Sequence, residues 1–155
     1  MTNLTIHSIT VQASVATLER LVQGERAAVT TYEQLQFLLY DHSLGELEIN
    51  RTCHVARVQA LLHRITALGG ISSACGNAWF TMGLGLMETA PLSGRDSLIN
   101  ALQIGEDLIL KRYRRPMTEL DPTSCRLVAE DLLPAQERAY GRIAELNRID
   151  QADAQ

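Results

Sequence analysis

Two short stretches carry the residues best suited to chemistry. Gly24-Glu25 is followed seven residues after the Glu by Tyr32, and Gly105-Glu106 is followed at the same distance by Tyr113. Each Glu interrupts a helix-spaced run of apolar side chains. The first run is Leu18, Val22, Glu25, Val29, Tyr32, Gln36, Leu39, and the second is Ile99, Leu102, Glu106, Ile109, Tyr113, Leu120. Steps of three and four place such positions on one helical face. A carboxylate inside a buried stripe is costly unless a cation or a hydrogen-bond donor faces it. The rest of the chain is expected to supply that partner.

Those two stripes belong to a plan of four helices. The first is expected over about 11–40, after a loose lead-in over residues 1–9. Ser43 to Glu46 has the spacing of a capping box and opens a second helix over about 44–68. Its stripe reads Leu47, Arg51, His54, Val58, Leu61, Ile65, Leu68, and Gly69-Gly70 closes it with a left-handed cap. A third helix is expected over about 96–119, with Pro116 kinking or ending it. Asp121-Pro122 is an N-cap followed by a first-turn proline, opening a fourth helix over about 122–149 with the stripe Ala129, Leu132, Gln136, Ala139, Ile143, Leu146. Short turns within each pair make antiparallel hairpins, and the crossover over 69–95 is long enough to run the length of a bundle. Trp79, Met82, Gly83 and Leu86 suit a short amphipathic helix within it.

Bulk properties narrow the function classes. The chain has 155 residues, 46% of them hydrophobic and 21% charged, as expected for one globular domain with a real core. Aromatic residues make up 5% and β-branched alternation is scarce, which disfavours a β-sandwich. A net charge of −4 without a long basic run argues against nucleic acid as a partner. Lys111, Arg112, Arg114 and Arg115 fit the solvated C-terminal end of a helix. The three cysteines, Cys53, Cys75 and Cys125, form no CxxC pair and point to reduced thiols in a cytoplasmic protein. No secretory signal is visible. Leu68 to Met87 is free of charge, but its five Gly, two Ser and Asn77 are too polar for a comfortable membrane span.

From about residue 12 to 149 the chain resembles the ferritin-like superfamily, and more closely an uncharacterised bacterial branch of four-helix-bundle proteins known as a domain of unknown function. The carriers are Gly24-Glu25 with Tyr32, His54 through Leu61-Leu62 to Leu68-Gly69-Gly70, Gly105-Glu106-Asp107 with Tyr113, and Gln136-Glu137 with the run Tyr140 to Leu146. The resemblance implies an all-α, ferritin-like four-helix bundle of two hairpins. In the metal-binding members, two helices each give one Glu and two each give a Glu-x-x-His pair, a ligand set for iron or manganese. Carried over, Glu25 and Glu106 match the lone acids, His54 the second-helix His and Glu137 the fourth-helix Glu. Arg51 stands where a bridging Glu is required, and Tyr140 where a His is required.

Two readings of the site follow. In one, a single iron or manganese ion is held by Glu25, His54, Glu106 and Glu137. In the other, the centre is a metal-free polar core in which Arg51 bridges the carboxylates and Tyr32, Tyr113, Gln136 and Tyr140 complete the hydrogen bonding. The loss of half of each Glu-x-x-His pair favours a degenerate di-metal site in a non-catalytic structural or stress-related cytoplasmic protein. The alternative is an iron- or manganese-binding protein. A homodimer is the expected assembly, with neither nucleic acid nor membrane as partner.

Overall fold

The computed structural model describes residues 2–39, 44–72, 94–115 and 118–153, and among these it is all-helical. Among the described residues four helices follow one another. α1 is Thr2–Gln36, α2 is Leu44–Ala67 and α3 is Arg95–Tyr113. α4 begins as Pro122–Arg126, passes through a π-helical turn at Leu127–Leu132 and continues as Leu133–Asp153. The segment expected to hold a short crossover helix, with Trp79, Met82, Gly83 and Leu86, lies outside the described residues, as do Ser43 and Pro116.

Cross-helix contacts give the directions. α1 meets α2 from Gln36 at Glu48, through Tyr32 at Asn50 and Glu25 at Arg57, to Val15 against Gly70. The residue numbers run opposite ways, so the pair is antiparallel. α3 and α4 are antiparallel as well, from Gln103 at Asn147 to Glu106 at Gln136. The pairs join through α1 with α3, at Tyr32–Glu106 and Glu25–Tyr113, and through α2 with α4, at Asn50–Ala139, Arg57–Gln136 and Arg64–Asp121. The core between the four helices holds Leu18, Val22, Leu35, Leu47, Leu61, Ile65, Ile99, Leu102, Ile109, Leu132 and Ile143, all nearly inaccessible.

The termini of the elements follow their local chemistry. Gly69 ends α2 at φ +76°, and the Gly70 amide returns to the Ile65 carbonyl at 2.9 Å. This pairing needs the left-handed turn that glycine adopts without strain. A Cβ on Gly70 would lie 2.9 Å from Val15 Cγ1, so its size also sets how closely α1 and α2 approach. Asp121 caps α4 by accepting from the Thr123 and Ser124 amides, with Pro122 in the first turn. The preceding link is tied to α1: Thr17 donates to the Glu119 carboxylate, and buried Ser14 donates to the Glu119 carbonyl and accepts from the Asp121 amide.

Several expectations require correction. Helix α1 starts at Thr2, so residues 2–9 are helical rather than a loose lead-in. α3 ends at Tyr113, short of Pro116, and α4 extends to Asp153. The inward face also differs in phase from the stripes read off the sequence. Ala28 and Leu35 are buried where Val29 and Gln36 were expected, and Asn50 and Arg57 are buried in place of Arg51 and Val58. Steps of three and four fit both sets, and the spacing does not choose between them. In α4 the inward residue is Val128 and Ala129 is exposed. There the π-helical turn alters the phase: Ser124, Val128, Leu132 and Gln136 are all buried at steps of four. In a pure α-helix such a series would drift by about 40° per step.

Candidate functional site

Near the middle of the four helices sits a cluster of charged and polar side chains almost without solvent contact: Glu25, Asn50, His54, Arg57, Glu106 and Gln136, with Tyr32 and Tyr113 closing its ends. α1 contributes Glu25 and Tyr32, seven residues or two turns apart. α3 contributes Glu106 and Tyr113 in the same register. α2 contributes Asn50, His54 and Arg57 at steps of four and three. α4 contributes Gln136.

His54 is the hub. Its Nδ1 lies 2.7 Å from Glu25 Oε2 and its Nε2 lies 2.9 Å from Glu106 Oε1. A ring with a carboxylate at both nitrogens donates from both when it is an imidazolium. Burial by itself would lower the His54 pKa, but the charges of Glu106 and Glu25 outweigh it and raise it above the ordinary 6.5. Reciprocally, burial would raise both acids. The imidazolium leads the opposing effects and holds each of them below 4.5, helped by Arg57 and Tyr113 at Glu25 and by Tyr32 and Gln136 at Glu106.

Arg57 brings the second positive charge. Its Nε donates to both Glu25 oxygens at 3.0 Å, and its Nη2 donates to Gln136 Oε1 at 2.7 Å. The same Nη2 lies 2.7 Å from His54 Nδ1. Both atoms carry hydrogen when the ring is charged, so this approach is a contact rather than a hydrogen bond. Nη1 of Arg57 is buried with no hydrogen-bond partner among the described residues. Two carboxylates against one guanidinium and one imidazolium leave the cluster electrically neutral.

The tyrosines complete it crosswise. Tyr32 donates to Glu106 Oε1 at 2.5 Å and accepts from Asn50 Nδ2 at 2.9 Å. Tyr113 donates to Glu25 Oε1 at 2.7 Å. Gln136 Nε2 donates to the Glu106 carbonyl at 3.1 Å and to its Oε2 at 2.5 Å. Burial and the neighbouring carboxylates push both phenols well above 10, so they stay protonated donors. Asn50 also donates to the Ala139 carbonyl and accepts from Arg142 Nε at 2.6 Å, which carries the network to the protein surface.

The structure thus brings together Glu25, His54, Glu106, Tyr32, Tyr113 and Gln136. It does not bring in Arg51, Glu137 or Tyr140. Arg51 is half-exposed, forks onto Glu48 at 2.8 and 2.7 Å and faces Glu33, holding the Glu48 carboxyl down at about 2. Glu137 is exposed and pairs with Arg114 at 2.8 Å, so it is neither a ligand nor a core acid. It follows Gln136 directly, and about 100° of helix rotation turns it outward when Gln136 faces in. Tyr140, only half-buried, makes no hydrogen bond to the cluster. Arg57 and Asn50 join the cluster although neither stands on the stripe that the sequence suggests for α2. The available signal was their spacing from His54, three residues after and four before, on the face His54 itself occupies.

The bonding of these donors leaves no place for a metal ion. Every oxygen of Glu25 and Glu106 already accepts from a side chain of the cluster, and both imidazole nitrogens face carboxylates instead of offering a lone pair. A permanently charged guanidinium 3.0 Å from Glu25 repels a cation. Among the described residues, no group of three or more His, Cys, Asp or Glu is disposed to hold a metal ion. In this arrangement the residues do not fit a metal. Nor is any helix among them long and apolar enough to cross a membrane. No family model, curated protein or solved structure matches this chain.

Proposed function

We propose that the chain is a non-catalytic, structural bundle protein of ferritin-like architecture in which an internal ion network stands where relatives of that type hold metal. The observation that carries this reading is His54, engaged at both ring nitrogens by acids from two different helices. An imidazolium and a guanidinium here supply the positive charge that a metal centre would otherwise supply. The acids of a di-metal site then become fastening points between α1, α2 and α3. A stress-related, cytoplasmic role and assembly as a homodimer belong to the same proposal. Exposed Phe37, Ile71 and Ile104 offer apolar surface for self-association.

The test is elemental analysis of protein purified from cells supplied with iron and manganese, paired with thermal melting in the presence and absence of a chelator. The expected result is substoichiometric metal and an unchanged melting temperature. Close to one iron or manganese per chain, lost in Glu25→Ala and His54→Ala, would instead establish the metal-binding alternative with Glu25, His54 and Glu106 as ligands.

A further inference from the structure

The guanidinium of Arg57 sits where four donor atoms from three helices converge. Its Nε lies 3.0 Å from each carboxylate oxygen of Glu25, on α1. Its Nη2 lies 2.7 Å from His54 Nδ1, on its own helix α2, and 2.7 Å from Gln136 Oε1, on α4. Glu25, His54 and Gln136 are all sealed from solvent. Two carboxylate oxygens, an imidazole nitrogen and an amide oxygen are donor types that a divalent cation takes.

A guanidinium fits this place imperfectly. It is a flat fork whose N–H groups each seek an acceptor. Nη1 is buried and finds none among the described residues. Nη2 meets His54 Nδ1, which carries a hydrogen of its own while the ring is charged. Charge balance would allow an exchange. Arg57 and the imidazolium together offset two carboxylates, and one divalent cation beside a neutral ring would do the same. The hydrogen left on Nε2 would stay with Glu106, 2.9 Å away. A carboxylate behind the imidazole is the usual support of a metal-bound histidine.

We propose that Arg57 is the residue that shuts divalent metal out of this protein. Its side chain fills a position that Glu25, His54 Nδ1 and Gln136 Oε1 would otherwise present to the ion. This inference rests on the metal-free reading above and names the group responsible for it. Glu106 is then a positioning residue for the His54 ring and not a ligand, and Arg51 and Glu137 take no part.

Equilibrium dialysis of the full chain against cobalt(II), with thermal melting in its presence and absence, tests the proposal. The expected result is no cobalt in the wild type and about one ion per chain in Arg57→Ala, with a raised melting temperature. Adding His54→Ala to Arg57→Ala should abolish that binding, and adding Gln136→Leu should weaken it by about tenfold or more. If Arg57→Ala folds only when cobalt is present, the ion has taken the place of the guanidinium and the proposal stands. Arg57→Ala that binds no cobalt, or stays unfolded in its presence, would overturn it. So would cobalt retained after His54→Ala, which would mark a site elsewhere. Cobalt bound equally by the wild type would overturn the metal-free reading itself, whereas wild type and Arg57→Ala both free of cobalt would overturn this inference alone.

Discussion

Tyr32 donates a 2.5 Å hydrogen bond to Glu106, 74 residues further along the chain, and Tyr113 returns the relation by donating to Glu25 at 2.7 Å. The Gly-Glu-x6-Tyr stretch is thus used twice, and each copy satisfies the acid of the other. Neither helix can lose its tyrosine without exposing a fault in its partner. Tyr32→Phe and Tyr113→Phe are each expected to cost about 1–3 kcal/mol, the range for depriving a buried acceptor of its donor. Tyr32→Phe also removes the acceptor for Asn50 and should be the costlier of the two. Urea denaturation of the two variants and the double variant measures this. Strict additivity would argue against a shared network.

The buried cation is Arg57, not Arg51, and substitution separates them. Arg57→Met leaves Glu25 short of its guanidinium and should destabilise by about 3–5 kcal/mol, as when one partner of a buried ion pair is removed. Arg51→Met breaks only surface pairs, the fork on Glu48 and the 3.5 Å approach to Glu33, and should leave the denaturation midpoint nearly unchanged. Equal effects, or a larger one at Arg51, would reverse the assignment.

Stability should peak in mildly acidic solution. Glu25 and Glu106 have folded pKa values below 4.5, so their contribution is complete above that value and is lost as pH falls through the folded values. His54 has a folded pKa above 6.5, so its contribution is complete below 6.5 and is lost as pH rises through the folded value. The network is therefore strongest between these limits. Urea midpoints followed from acid to alkaline pH should show both limbs, and His54→Gln should flatten the alkaline one. An alkaline limb unchanged in that variant would place the titration elsewhere.

At the start of α4, Asp121 accepts from two backbone amides and from Arg64 at 2.7 Å. Asp121→Ala should cost about 1 kcal/mol or more, the usual loss for an N-cap, whereas Asp121→Asn keeps a capping oxygen and should recover most of it. Thermal melting of both variants provides the comparison.

Much of this organisation can be read from residues alone. Glu25 and Glu106 stand out because an acid breaks an apolar period, and Asp121-Pro122 and Gly69-Gly70 announce helix ends through backbone chemistry that hardly depends on context. The phase of α2 was another matter. Arg51 and Arg57 both lie three residues from His54, on opposite sides of it in sequence, and both fit an amphipathic spacing. Which one turns inward depends on Gln136 and Glu25, contributed by other helices. The π-helical turn was equally hidden, since its hydrogen-bond register is set by how α4 lies against its neighbours.

That turn has a bearing on how the chain tolerates change in length. Its outward residues Ala129, Glu130 and Asp131 are exposed, while Gln136 lies beyond it at the centre. Deleting one of the three would restore ordinary α-helical winding, and the shortened stretch from Ser124 to Gln136 would still make about three full turns at about 100° per residue. The cluster would keep its glutamine, and the preceding link would keep its anchorage onto α1. A single surplus residue on the solvent side is thus absorbed by the wider winding, and both ends of α4 still meet their neighbours.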